Sequence, residues 1–297
     1  MLTEHISPRF VDLDSWSTGD MIQAMYDGQL AACAAVRPAL PAINAAVDDA
    51  VPALKRGGRL VYVGAGTSGR IAIQDGAELR PTYDWPSDRL VFVMAGGMQA
   101  VLQSIEGAED DEAKGAEAIT DAEINQNDVV IAVAASGTTP FTLGALRSAE
   151  ARGALSIAVA NNRGAPIFEL ARHRILIETG TEVLAGSTRM QAGTAQKIVL
   201  NLFSTAVMVR LGRVYRGLMV SMRASNVKLL RRAEVIVGQI VGCGENDAAK
   251  FVKLAEGDVK VAVLLGLGWE KTDALEALLK HEGNLRAVID ELSHDRT

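Results

Sequence analysis

The sequence predicts an α/β fold, a doubly wound parallel sheet flanked by helices and followed by a small helical domain at the C-terminus. Three observations predict it. Strand-like apolar runs stand at residues 60–63, 90–94, 129–134, 155–160 and 175–177, each separated from the next by room for a helix. Such alternation gives a parallel sheet covered on both faces. Residues 60–82, LVYVGAGTSGRIAIQDGAELRPT, pass from a short β-branched run through glycines and hydroxyls into a helix-compatible stretch. After Gly242 to Gly244 the remaining chain reads as a compact helical unit.

From the N-terminus, Ser17 to Gly19 offer cap residues, and Met21, Ile22, Met25 and Leu30 recur at helical spacing until Pro38 interrupts. A second helix, 38–54, takes Pro38 in its first turn and closes on Lys55-Arg56-Gly57-Gly58, cations that suit the dipole followed by a glycine cap. Residues 1–57 are therefore expected to form a helical segment packed on the core, 58–241 the sheet domain with its long helices, and 242–297 the small helical domain.

The first strand stops at Gly64, and Gly64, Gly66 and Gly69 allow the tight path that aims backbone N–H groups at a ligand. Those amides and the following helix N-terminus favour an anion. Thr67 and Ser68 add side-chain donors that suit the oxygens of a phosphate monoester. The spelling Gly-x-Gly-x-x-Gly fits a dinucleotide loop equally well. A dinucleotide site needs an acid after the second strand to hold the ribose, and here that strand runs into Ala95-Gly96-Gly97. No Gly-Lys-Ser/Thr follows, which excludes a Walker loop. A phosphate on something smaller than a nucleotide fits better, with Glu78 three turns along as an acid near it.

Ligands of such sheets bind outside the carboxyl ends of the strands. After the third strand, Ala135-Ser136-Gly137-Thr138-Thr139-Pro140 repeats the glycine-and-hydroxyl chemistry of the first loop. Taken singly, Ser136 or Thr139 would be read as a helix cap; two such loops argue for a shared ligand. After the second strand come Glu106 and Glu109, which share a face if the segment is helical, and then Asp110 and Asp111 as a solvated helix start. After the fifth, residues 181–189 give a hydroxyl-rich, Arg-bearing third candidate loop ahead of a long helix to about Leu211, with Ile198, Leu202, Val207 and Leu211 as core. A helix over 219–240 exposes Lys228, Arg231 and Arg232. Residues 259–265 fit strand or helix, and 273–280 and 283–292 close the chain as helical segments.

At 297 residues, 48% hydrophobic and 22% charged, the composition is that of a globular protein with a sizeable core. A net charge of −6 without Lys/Arg blocks argues against a nucleic-acid or anionic-membrane partner. Cys33 and Cys243 support neither a disulfide framework nor a zinc site and are expected as buried thiols. The start, MLTEHISPRFVDLD, lacks the basic and apolar regions of a signal peptide, and no apolar stretch reads as a membrane span. A cytoplasmic location is expected.

Taken together, GAGTSGR, DGAELRPT, EGAEDD, ASGTTP, TEVLAGSTRMQAGTAQK and GDVKVAVLLGLG resemble the N-acetylmuramic acid 6-phosphate etherases, from about Thr3 to the C-terminus. The resemblance implies the sugar isomerase (SIS) fold, a homodimer, and cleavage of a D-lactyl ether without metal or cofactor. Ring opening would acidify the C2 proton, one carboxylate would remove it, a carboxylic acid would protonate the departing lactyl oxygen, and water would add to the double bond. The two catalytic acids fall on Glu78, in DxxExxPT, and Glu109, in GAED. Phosphate ligands fall on Ser136, Gly137, Thr138 and Thr139, with Thr67 and Ser68 in the first loop, and Glu182, Ser187, Thr188 and Arg189 are carried over as further substrate-binding residues. Glu78, between Ala77 and Leu79, is expected to be kept protonated by burial late in a helix, whereas Glu109 stands before a helix N-terminus that favours its charged form and beside Asp110 and Asp111, which oppose it. Departures are Gln191 for the family's usual Lys, Arg80 within the Glu78 motif, and a longer connection over 83–89; Arg80 bears on sugar preference. A phosphosugar aldose–ketose isomerase, using Glu182 as its base, and a non-catalytic SIS phosphosugar sensor are the alternatives. Neither needs both Glu78 and Glu109.

Overall fold

The computed structural model describes residues 1–222 and 226–295. It divides into two compact units, Met1–Gly76 with Ser87–Thr205, and Ala77–Pro86 with Ala206–Thr297.

In the first unit, α1 (Thr18–Ala35) starts where the Ser17 hydroxyl accepts from the Asp20 amide at 3.2 Å. Pro38 sits in the 3-10 turn Arg37–Ala39 that joins α1 to α2 (Leu40–Lys55), so the second helix starts two residues later than expected, with Pro41 in its first turn. The stretch Thr18–Lys55 is long and apolar enough to cross a membrane by length and composition, contrary to the sequence expectation. Core helices pass the same test, and α2 buries Ile43, Ala46, Val47, Ala50 and Leu54. Cys33, in α1, is exposed and Cys243 is half-buried, so the expected buried thiols are not found.

Next come β1 (Leu60–Gly64), α3 (Gly66–Ala77), α4 (Leu79–Tyr83), β2 (Leu90–Met94), α5 (Glu112–Asp121), β3 (Val129–Val133), α6 (Pro140–Ala151), β4 (Leu155–Ala160) and β5 (His173–Leu176). The five strands form one parallel sheet in the order β2-β1-β3-β4-β5. Strands β1, β3 and β4 are buried along their whole length, which is why they read in the sequence as unbroken apolar runs. On one face, Val61, Val63, Val130, Ala132 and Ala158 pack against Ile119 of α5 and Phe141, Ala145 and Leu146 of α6. Helix α2 packs on β3, β4 and β5. Edge strand β5 starts two residues earlier than expected, because His173 and Arg174 pair with β4 while remaining partly solvated. At the amino ends of β1 and β3, the buried Asp128 carboxylate accepts from the Arg59 amide at 2.9 Å, Arg59 Nε at 3.1 Å, Arg59 Nη2 at 2.7 Å and the Asn125 amide at 3.0 Å. The long helix α7 (Gln191–Arg210) follows β5.

The second unit holds α4 with α8 (Val227–Val241), α9 (Glu245–Leu254), α10 (Val259–Gly266), α11 (Lys271–Lys280) and α12 (Leu285–Asp295). Its core joins Ala233, Ile236 and Val237 of α8 to Val252, Ala262, Leu264, Leu278, Leu285 and Val288. The expected helix over 219–240 begins only at Val227, where Asn226 caps it by accepting from the Leu229 amide at 2.9 Å; residues 223–225 lie outside the described residues. The ambiguous run 259–265 is helical, started by Asp258, whose carboxylate accepts from the Val261 amide at 3.1 Å.

Candidate active site

The strand order reverses between β1 and β3, so their carboxyl ends define the switch point at which such sheets bind ligands. Helix α3 begins at Gly66, so the glycine loop is itself the helix's first turn. A Cβ at Gly69 would lie 2.3 Å from Met94 Sδ and 2.9 Å from the Gly64 carbonyl carbon, so only glycine permits this approach of α3 to β1. The Gly69 amide donates to the Ala65 carbonyl at 3.0 Å, and the amides before it at the helix start are the ones that an anion bound there would meet. Thr67 is half-buried and Ser68 buried.

Beside this loop opens a cleft of about 360 Å³ whose lining includes Gly66, Thr67, Arg70, Ser104, Glu106 and Glu109. A Cβ added at Gly66 would stand 3.9 Å from Glu109 Oε2, which places the Glu109 carboxylate over the start of α3. Glu109 lies in the 3-10 turn Ala108–Asp110, entered through Gly107 at φ +69°. Arg70 Nε donates to the carbonyls of Ala100 and Val101 at 3.0 and 3.1 Å and so ties α3 to a wall of the cleft. Asp111 caps α5 by accepting from the Lys114 amide at 2.9 Å, a bond that holds its carboxyl below the ordinary range.

The second loop leaves β3 next to the first, since Gly64 pairs with Val133. Gly137 has φ +69°, and a Cβ there would lie 2.4 Å from Ala165 Cβ. Ser136 Oγ accepts from the Thr138 amide at 3.1 Å, and Thr139, at the N-cap of α6, makes no side-chain capping bond. Capping of α6 therefore does not account for these hydroxyls. Beneath the loop, Asn162 Nδ2 donates to the Ala135 carbonyl at 2.9 Å and to Thr3 Oγ1 at 3.1 Å, while Asn161 Oδ1 accepts from Gln196 Nε2 at 2.9 Å. Sequence reasoning missed Thr3, Asn161, Asn162 and Gln196; the signal was a pair of asparagines directly after β4.

In the third loop, Glu182 is 1% exposed and its two oxygens accept from the Gln191 and Ala192 amides at 2.9 Å each, capping α7. Burial raises its pKa, with those two amides opposing the rise. Ser187 and Thr188 are half-buried and Arg189 is exposed. A Cβ at Gly193 would lie 3.6 Å from Thr67 Cγ2, so the first turn of α7 borders the first loop. The first unit thus gathers three hydroxyl-bearing loops and Glu109 around the carboxyl ends of β1 and β3. Asp75, in α3, accepts from Tyr62 Oη at 2.8 Å and Ser204 Oγ at 3.2 Å; burial raises its pKa although these bonds oppose it. It ties α3 to β1 and α7.

Glu78 lies in the second unit. Helix α3 ends at Ala77 because Pro81 has no N–H for the Ala77 carbonyl and its ring clashes there; Glu78 then becomes the N-cap position of α4. Glu78 is exposed, which corrects the expectation of a carboxyl buried late in a helix, and Arg80 is exposed as well. The burial falls instead on Leu79 and Trp85, at 2% and 1% exposure. Among the described residues no group of three His, Cys, Asp or Glu side chains is placed to hold a metal.

A parallel sheet with hydroxyl-rich loops at its switch point fits the SIS class of phosphosugar-binding domains. Residues 42–150 match the family described as the glucokinase regulatory protein N-terminal SIS domain. An N-acetylmuramic acid 6-phosphate etherase of Deinococcus radiodurans is 48% identical over 97% of this chain and 95% of its own, and one of Salmonella typhi is 40% identical over 98% of each. A phosphoheptose isomerase from Francisella tularensis, 15% identical, matches with a TM-score of 0.49 over 65% of this chain and 100% of its own. The chain belongs to the N-acetylmuramic acid 6-phosphate etherase family.

Proposed function

We propose that the protein cleaves the D-lactyl ether of N-acetylmuramic acid 6-phosphate, giving N-acetylglucosamine 6-phosphate and D-lactate. Identity of 48% to an etherase over nearly the full length supports the reaction, and the observation that carries it to this site is the Glu109 carboxylate above the first loop. The Glu109 carboxylate lines the cleft beside that loop, where a base acting on a sugar bound there must stand. With the ring open, Glu109 takes the C2 proton, the C2–C3 double bond forms as the C3–O bond breaks, and Glu78 gives its proton to the lactyl oxygen. Water then adds its oxygen to C3 and a proton to C2. The isomerase reading leaned on Glu182, whose oxygens are engaged at the start of α7.

Phosphate is held by the amides at the start of α3 with Thr67 and Ser68, and by Ser136, Gly137, Thr138 and Thr139; Ser187, Thr188 and Arg189 border the sugar, and Glu182 acts by fixing their loop. Ser136→Ala removes one donor to a charged acceptor and should weaken binding of N-acetylglucosamine 6-phosphate by about 1.5–3 kcal/mol. Calorimetric titration checks this, and unchanged affinity would remove the loop from the site.

The enzyme works as a cytoplasmic homodimer. Ile22, Tyr26 and Leu30, spaced four apart on α1, are 58%, 57% and 52% exposed and form an apolar stripe suited to a second copy. The free thiols Cys33 and Cys243 suit a reducing compartment. Light scattering at micromolar concentration is expected to give the mass of two chains; a monomer throughout would contradict the assembly.

A further inference from the structure

We propose that Arg213 is a positioning residue for the catalytic acid, and that the C-terminal helical unit serves the reaction by holding, through Arg213, the short segment that carries Glu78. The proposal rests on Glu78 being that acid.

Three features of the second unit lead to it. Residues Ala77–Pro86 group with the C-terminal helices although they lie between two sheet elements in sequence. Helix α4 within them has only 5 residues, too few to be stable alone. Its C-cap, Asp84, stands in the left-handed region at φ 50°, which aspartate adopts less readily than glycine, so contacts that hold this turn matter.

Arg213 holds this turn from the C-terminal unit. One guanidinium nitrogen, Nη1, donates to the carbonyls of both Tyr83 and Asp84, at 3.1 and 3.2 Å. The guanidinium carbon lies 5.5 Å from the centre of the Trp85 ring, itself 1% exposed, and the Trp85 amide donates to the Leu79 carbonyl. The Thr82 amide donates to the Glu78 carbonyl at 3.2 Å, so one turn of helix connects the anchored end to Glu78. Arg213 is itself fixed: its amide donates to the Met208 carbonyl, and Gly212 packs so closely on Asn284 that a Cβ would come within 2.9 Å. The groups facing it are Asp84 and Lys260, whose Nζ bonds the Gly283 carbonyl. A lysine at 213 keeps the charge and has donors for the carbonyls but lacks the planar group that lies over Trp85.

The test compares Arg213→Gln, Arg213→Lys and Glu78→Gln with the parent, using N-acetylmuramic acid 6-phosphate in deuterated water. D-lactate release, KM and deuterium entry at C2 are followed, with melting curves. Arg213→Gln should release lactate about tenfold to a hundredfold more slowly, with KM and C2 exchange within about twofold of the parent, because misplacing a catalytic group by an ångström has such a cost. Arg213→Lys should fall between, and it carries the test if the Gln variant does not fold. Parent-like lactate release in the Arg213 variants, or equal loss of release and exchange, overturns the proposal. If Glu78→Gln loses lactate release while the Arg213 variants keep it, the positioning role alone fails; if Glu78→Gln releases lactate at the parent rate, the assignment of the acid fails first.

Discussion

Glu109→Gln will stop exchange of the C2 proton with deuterated solvent and slow D-lactate release about a hundred- to ten-thousandfold, the usual loss for a general base. Glutamine keeps the size of the side chain in the cleft beside Gly66 and Thr67 and removes only its basicity. Glu78→Gln will slow lactate release to a similar degree yet continue to exchange the C2 proton, because proton removal precedes departure of lactate. The two variants separate the acid from the base in one experiment, read by mass spectrometry of recovered sugar. Exchange in Glu109→Gln with none in Glu78→Gln would reverse the roles. Lactate release at the parent rate by both would remove these residues from the chemistry.

Asp128→Ala will destabilise the protein by about 1–3 kcal/mol, the cost of leaving buried donors without their acceptor while the Arg59 guanidinium stays partly solvated. The change leaves the Arg59 and Asn125 amides without their acceptor and the Arg59 guanidinium without its counter-charge, at the amino ends of β1 and β3. Burial pushes the Asp128 carboxyl up, but the Arg59 and Asn125 bonds and the Arg59 charge outweigh it, so the folded pKa lies below the ordinary value. A depressed carboxyl stabilises the fold above its unfolded pKa and loses that contribution as pH falls through the folded value. The parent should therefore lose stability on acidification below about pH 4, and the variant should show a smaller acid dependence. Urea unfolding across pH 3–7 measures both. Because Asp128 lies at the end of the strands away from the loops, the folded variant should bind phosphosugar as the parent does; weakened binding by folded variant would contradict this separation of fold from site.

Much of the α/β part was legible because β1, β3 and β4 are buried along their whole length and read as unbroken apolar runs. The first loop was legible because three glycines mark where α3 meets β1, and Gly69 has steric reasons to be nothing else. What sequence reading lost was long-range or conditional. Edge strand β5 includes polar His173 and Arg174, so its apolar signal starts late. The break at Glu78 was signalled by Pro81, four residues after Ala77, yet the apolar neighbours Ala77 and Leu79 suggested an uninterrupted helix. Thr3 and Asn162 meet across 159 positions, a contact no local pattern announces. The use of Glu182 as a cap for α7 depends on a loop folding back over nine residues, which spacing rules for capping do not cover.

The most direct test of the account is to incubate the protein with N-acetylmuramic acid 6-phosphate in water enriched in oxygen-18 and analyse both products. One D-lactate is expected for each N-acetylglucosamine 6-phosphate, with the heavy oxygen at C3 of the sugar and none in the lactate, because the C3–O bond breaks before water adds. Heavy oxygen in the lactate would place the cleavage on the other side of the ether, and an absence of lactate with aldose–ketose interconversion or binding alone would contradict the etherase reading.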